Sequence, residues 1–209
     1  ILIFAAIGVA IGFSLFLVYD LPDISPLEDY TDPKWELPSK VYDAQGSLFA
    51  EFFQEKREIV QITDLPRHVP AAFLASEDRR FYDHRGVDFF GILRASIKNI
   101  RSGRLVEGGS TITQQLAKNL YANRKRDLIR KMLETAAAVM LEVRYTKNQI
   151  LEAYLNEVYM GQRGPVAISG MGEAARFYFR KRPSELTLAE SGLLAGMISS
   201  PGLYNPYRN

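Results

Sequence analysis

The stretch DLIRKMLETAAAVMLEVRYTKNQ, residues 127–149, decides the fold class. Glu134, Ala137, Ala138 and Leu141 recur at three- and four-residue steps, so one face of a helix over Asp127–Arg144 collects them. Its alanines suit close packing against a neighbouring helix. The closing Thr146-Lys-Asn-Gln149 is a capping box, which starts a second helix running to about Tyr159. Glu134 reads two ways here: turned into the packed face, or paired with Arg130 four residues earlier on the surface.

The same periodicity extends in both directions. Upstream, Thr111–Ala122 reads as a helix, and Phe89, Ile92, Leu93, Ser96, Ile97 and Ile100 follow helical spacing up to Gly103. Pro66 and Pro70 fit helix starts, with that helix reaching Asp78 or beyond. Downstream, Gly164–Gly172 reads as a loop, followed by a helix to Phe179. Thr187-Leu-Ala-Glu190 is a second capping box, and Pro201 closes its helix. Strand signals are confined to a hairpin, Ser39–Tyr42 and Ser47–Phe53 around Gly46, and a short third strand over Glu58–Ile62. The expectation is a mainly α domain with a small β-hairpin element.

Composition narrows the chemistry. The 209 residues are 47% hydrophobic and 24% charged, a globular balance. Twenty-six basic against 24 acidic residues give +2, which does not suggest a nucleic-acid partner. With no Cys there is no disulfide framework, thiol nucleophile or Cys-ligated metal, and His68 and His84 are too few for a multi-His metal site.

Ile1–Val18 carry no charge. Eighteen helical residues rise roughly 27 Å, close to the thickness of a bilayer core, so this segment reads as a transmembrane anchor. The flank Asp20–Pro33 holds five acids and no Lys or Arg, which places it on the extracytoplasmic side. The expected organisation is a transmembrane helix over 1–19, an extracytoplasmic Pro-rich linker over 20–38 and a single domain over 39–209.

Three clusters bear on function. In Glu77-Asp-Arg-Arg-Phe81-Tyr-Asp-His84-Arg-Gly86 a helix ends at a glycine, with Phe73, Glu77 and Phe81 at four-residue steps. A carboxylate between aromatics loses hydration and suits proton transfer, although a pairing of Glu77 with Arg79 or Arg80 fits equally well. Taken alone, His84 reads as a structural residue. In Gly108-Gly-Ser110-Thr111-Ile-Thr-Gln114-Gln115-Leu-Ala-Lys118, glycines lead into a helix start whose free N–H groups favour an anion, or into an ordinary cap. Lys118, Arg124, Lys125, Arg126, Arg130 and Lys131 form a basic run that suits a phosphate-rich ligand, or a solvated face. Glu77 and Glu134, in different helices with cations between them, suit sugar transfer from a pyrophosphate.

Together these stretches resemble the peptidoglycan glycosyltransferases, found as a domain of class A penicillin-binding proteins and as monofunctional membrane enzymes. The resemblance rests on Glu77-Asp-x-x-Phe81-x-x-His84-x-Gly86, on Gly109-Ser-Thr-Ile-Thr-Gln-Gln115-Leu-Ala-Lys-Asn119, on Arg130-Lys-x-x-Glu134 and on Ile150-Leu-x-x-Tyr154-Leu-Asn156-x-x-Tyr-x-Gly161. They stand in the family's order and cover about residues 39–207. The segment Gly161–Gly172 departs from the family's commoner Gly-x-x-x-Tyr-Gly pattern and leans toward the penicillin-binding-protein 1B type.

The resemblance implies a lysozyme-like, two-lobed fold with a head and a membrane-facing jaw, the jaw carried by Phe89–Leu105. It implies polymerisation of lipid II into β-1,4 glycan strands with inversion and release of undecaprenyl pyrophosphate. Glu77 matches the catalytic base, and Glu134 the second glutamate, which assists the pyrophosphate directly or through a divalent cation (Mg or Mn). No tightly bound cofactor is implied. Ser110, Gln115, Lys118, Arg126 and Lys131 match positions that contact the donor pyrophosphate or the inhibitor moenomycin. Thr111, Gln114, Arg130, Phe81 and His84 are substrate-binding candidates in the same motifs. The partners implied are lipid II, the growing strand, the membrane and cell-wall synthesis proteins. The implied location is the cytoplasmic (inner) membrane, with a single pass and the catalytic domain on its periplasmic face. Two other readings remain: a lysozyme-like glycan-cleaving enzyme, disfavoured because a hydrolase has no pyrophosphate to neutralise, and a non-catalytic recruiting module.

Overall fold

A computed structural model describes residues 39–43, 45, 48–52, 58–104, 108–120, 127–163 and 166–207. The expected membrane helix and linker, and Arg126, lie outside these residues. Among the described residues, no helix is long and apolar enough to cross a membrane.

The hairpin forms as expected: strand β1 (Ser39–Tyr42) pairs antiparallel with β2 (Leu48–Phe52). The expected third strand does not. Residues 58–61 are irregular and run into a single 3-10 turn, Ile62–Asp64. The reason is the partner. Val60 gives its N–H to Asn156 Oδ1 and takes a bond from Asn156 Nδ2, each at 2.9 Å, and Ile62 N–H goes to Glu152 Oε2 at 2.7 Å. A side-chain amide thus satisfies a backbone pair that a strand would otherwise satisfy.

Seven α-helices follow among the described residues: α1 (His68–Glu77), α2 (Phe89–Ser102), α3 (Ile112–Leu120), α4 (Asp127–Arg144), α5 (Lys147–Glu157), α6 (Gly170–Phe179) and α7 (Leu188–Met197). Helix α4 has the expected bounds. The Thr146 box is formed, Thr146 Oγ1 accepting Gln149 N–H while Gln149 Oε1 accepts Thr146 N–H, and the Thr187–Glu190 box closes the same way.

The glycine-rich stretch after α5 corrects the sequence reading. Helix α5 stops at Glu157, and β3 (Tyr159–Arg163) turns back into β4 (Val166–Ser169) as a second antiparallel hairpin. Gly170 (φ +78°) then starts α6, and a Cβ on it would stand 2.5 Å from Asn156 O. A loop reading is what glycine content suggests; this glycine serves a close approach between α6 and α5 instead.

Helix α3 is central. It packs on α4 and α5, while α1 packs on α7 and α5 on α6. Ile112, Leu116, Leu141, Ile150, Leu151, Tyr154 and Leu155 are fully buried between them. Ala137 and Ala138 of α4 are also fully buried, and Glu134 on the same face is only 8% exposed, as the spacing predicts. Small side chains let α3 and the Gly86 loop come close to α4.

Candidate active site

Two segment ends meet at the site. Helix α1 stops at Glu77 because Asp78 leaves helical geometry (φ −158°, ψ 78°). Phe81 therefore sits in a turn, not on the α1 face expected from its spacing, and it is buried there beneath Tyr82 and the Lys147 ammonium, which lies 4.3 Å from the ring centroid. The Asp78 carboxylate is buried and accepts from His84 Nε2 (3.0 Å) and from the backbone N–H of Ile112 (3.0 Å), the first residue of α3.

The start of α3 is a third capping box. Gln114 N–H goes to Thr111 Oγ1 and Thr111 N–H to Gln114 Oε1, both at 3.1 Å. Thr111 Oγ1–H reaches Gly86 O at 2.6 Å, and Gln114 Nε2–H reaches Thr135 Oγ1 at 3.2 Å. Gly86 takes φ +85°, and a Cβ there would press on the Ala138 carbonyl at 3.0 Å. Thr111, Gln114, Phe81 and His84 are thus buried, and the polar atoms named here bond within the protein. They hold the loop, α3 and α4 in register.

Gln115, one residue further along α3, faces the opposite partners. Its Nε2 donates to Glu77 Oε2 at 2.9 Å, and its Oε1 accepts from the Tyr154 hydroxyl at 3.4 Å. Glu77 Oε1 takes a longer bond from Ser76 Oγ (3.4 Å). The alternative pairing with an arginine is not what forms: Arg80 reaches Asp88 (3.2 Å) and Asp83 (3.7 Å), and Arg79 gives its Nε–H to Ala75 O. Burial first, and then the charges of Glu77 and Asp78, push the Tyr154 phenol well above the usual tyrosine range, so it stays protonated and acts as a donor.

A second group of side chains lies at the α3–α4 junction. Lys131 Nζ donates to Ser110 Oγ at 2.9 Å and stands 3.5 Å from Glu134 Oε2, while Arg130 Nε stands 3.4 Å from Glu134 Oε1. Both readings of Glu134 hold at once, since it is buried and also paired with Arg130. The two cations are about half exposed (45% and 49%), so an anion in solvent can approach them. Lys118 lies exposed on α3.

This arrangement puts a carboxylate clamped by a neutral amide on one side of α3, and donors with cations at its start. Residues 45–209 match the family model described as Transglycosylase. The chain belongs to this transglycosylase family. Penicillin-binding protein 1A of Aquifex aeolicus is 44% identical over 204 residues, covering 96% of this chain and 27% of that protein. Penicillin-binding protein 1B of Haemophilus influenzae is 48% identical over 155 residues (74% and 20%), and penicillin-binding protein 1A of Escherichia coli is 39% identical over 199 residues (95% and 23%). The chain thus spans about a quarter of the length of the curated relatives it matches. Within the transglycosylase domain, sequence reasoning missed Asp78 and Tyr154 as parts of the site. Asp78 stood inside the first motif, but its bond to Ile112 N–H joins segments 34 residues apart and has no local signal.

Proposed function

We propose that this domain polymerises lipid II into β-1,4 glycan strands, with inversion at the anomeric carbon and release of undecaprenyl pyrophosphate. The observation that carries this reading is the division of the site. Glu77, held by Gln115, suits a base that takes the proton of the acceptor 4-hydroxyl. The freed oxygen attacks the donor anomeric carbon, and the bond from that carbon to the pyrophosphate oxygen breaks. Negative charge then grows on the leaving pyrophosphate, where Ser110, Arg130 and Lys131 stabilise it, joined by Lys118 and Arg126. Glu134 orients Arg130 and Lys131 through its two ion pairs.

A divalent cation at the pyrophosphate needs only one or two carboxylates beside the substrate phosphates, and Glu134 is the carboxylate that would supply one; the cation would add charge neutralisation there to that of Arg130 and Lys131.

In this reading residues 1–19 anchor the chain with the catalytic domain outside the cytoplasm, and the fold divides into a lysozyme-like head and a jaw. Helix α2 supports a bilayer-facing jaw: Phe89, Phe90, Leu93 and Ile100 are 59–80% exposed. Of these, Phe90 and Leu93 line an open groove of about 590 Å³, together with Ile97, Arg94, Lys98 and Arg101. An apolar face with a basic rim suits a lipid surface.

Labelled lipid II incubated with the wild type and with Glu77→Gln tests the reaction. Long strands from the wild type and none from the variant are expected. Equal product from both removes Glu77 as base, and clearing of preformed peptidoglycan in place of synthesis replaces the transferase with a hydrolase.

A further inference from the structure

We propose that Tyr154 is a positioning residue for glycosyl transfer: its hydroxyl fixes the Gln115 side-chain amide so that the amide NH2 holds the Glu77 carboxylate. The inference rests on the reading of Glu77 as base and adds a residue that touches neither substrate. An amide can turn over, exchanging its oxygen and nitrogen. The turned form would set Gln115 Oε1 against a Glu77 carboxylate oxygen, acceptor against acceptor. Tyr154 acts from the other side. Its hydroxyl is 3.4 Å from Oε1 and Gln115 Nε2 is 2.9 Å from Glu77, so the three groups form one donor-to-acceptor chain across α5, α3 and the end of α1.

The surroundings fix the direction of that chain. Tyr154 is fully buried on α5 within the core. That burial first, and then the charges of Glu77 and Asp78, raise the cost of ionising its phenol, so the hydroxyl keeps its proton and donates. Donation to Oε1 polarises the amide and strengthens its N–H bond to Glu77. Glu77 is left with Oε1, engaged only at 3.4 Å by Ser76, as the oxygen that meets an acceptor hydroxyl.

Steady-state polymerisation of lipid II by the full chain, measured for Tyr154→Phe, Gln115→Ala and the double variant, tests this. Tyr154→Phe is expected to lower kcat about five- to tenfold, the size of one lost hydrogen bond, while KM for lipid II stays within about twofold. The double variant is expected to match Gln115→Ala alone, because Tyr154 acts only through that amide. Tyr178→Phe, which removes a buried hydroxyl bonded to Met160 O, serves as the control with unchanged kcat. If Tyr154→Phe unfolds, 4-fluorophenylalanine and 4-aminophenylalanine at position 154 replace it. Both fill the space of the hydroxyl, and only the amino form, which keeps a donor, is expected to retain kcat. Wild-type kcat in Tyr154→Phe, multiplying losses in the double variant, or equal kcat for the two analogues would each overturn the proposal, given active wild type and inactive Glu77→Gln. Failure of that last pair would instead overturn the reading of Glu77.

Discussion

Asp78 Oδ2 accepts the backbone N–H of Ile112 at 3.0 Å, which ties the end of the helix carrying Glu77 to the start of the helix carrying Gln115. The bond satisfies an N–H that the first turn of a helix leaves without an intrahelical partner. Asp78→Ala leaves that buried donor and His84 Nε2 unsatisfied, at about 1–3 kcal/mol for each group. Asp78→Asn keeps one acceptor oxygen for Ile112. Denaturant unfolding is therefore expected to rank wild type above Asp78→Asn and Asp78→Asn above Asp78→Ala. Equal midpoints for the two variants would break the argument.

Lys131 bridges Ser110 and Glu134, so it orders the donor set even before an anion arrives. Removing it leaves Glu134 with Arg130 at 3.4 Å. Lys131→Ala is expected to lower kcat/KM for lipid II by about 10²-fold, as loss of one transition-state donor does. Ser110→Ala, which removes a neutral partner, is expected to cost less. The ratio of the two losses, read under identical lipid conditions, checks the assignment of charge stabilisation to this end.

Most of the helices were legible because they are periodic: the Glu134–Leu141 face and the boxes at Thr146 and Thr187 could be read from spacing alone. The β3–β4 hairpin was not, since its signal lay in glycines that serve close packing as often as loops. Nor was the irregular path of residues 58–61, whose backbone pairs with the side chain of Asn156, 96 positions away. The same limit applies at the site. Thr111 and Gln114 stand in a motif that looks like an anion cradle, yet they bond to each other as a cap. Gln115 and Glu77 come together only through packing of α3 beside the end of α1.

Helix α2 offers a separate test. Leu93 is 59% exposed on a face that includes Phe89 and Phe90. The chain has a single tryptophan, Trp35, so Trp35→Phe with Leu93→Trp creates one reporter on this face. In vesicles its emission is expected to shift to the blue and to be quenched by brominated acyl chains. A reporter at Glu157, on α5, is expected to stay unquenched. Equal quenching at both positions would remove the bilayer role of α2.

Glu190 supplies a pH test away from the site. Lys181 Nζ donates to Glu190 Oε1 at 2.7 Å, and the Thr187 N–H donates to Oε2 at 2.8 Å. The Lys181 bond first, and then the backbone bond, hold the Glu190 carboxyl down at about 2, from an ordinary 4.5. A folded-state value below the unfolded one means the unfolded chain binds the proton first as pH falls. The stabilisation is therefore complete above about pH 5 and drains away as pH drops from 4.5 toward 2. Thermal unfolding of wild type and Glu190→Gln across this range is expected to show a constant gap in Tm near neutral pH that closes toward pH 2. A gap that persists in acid would assign the contribution of Glu190 to packing of the α7 cap, and its charge would have no part in it.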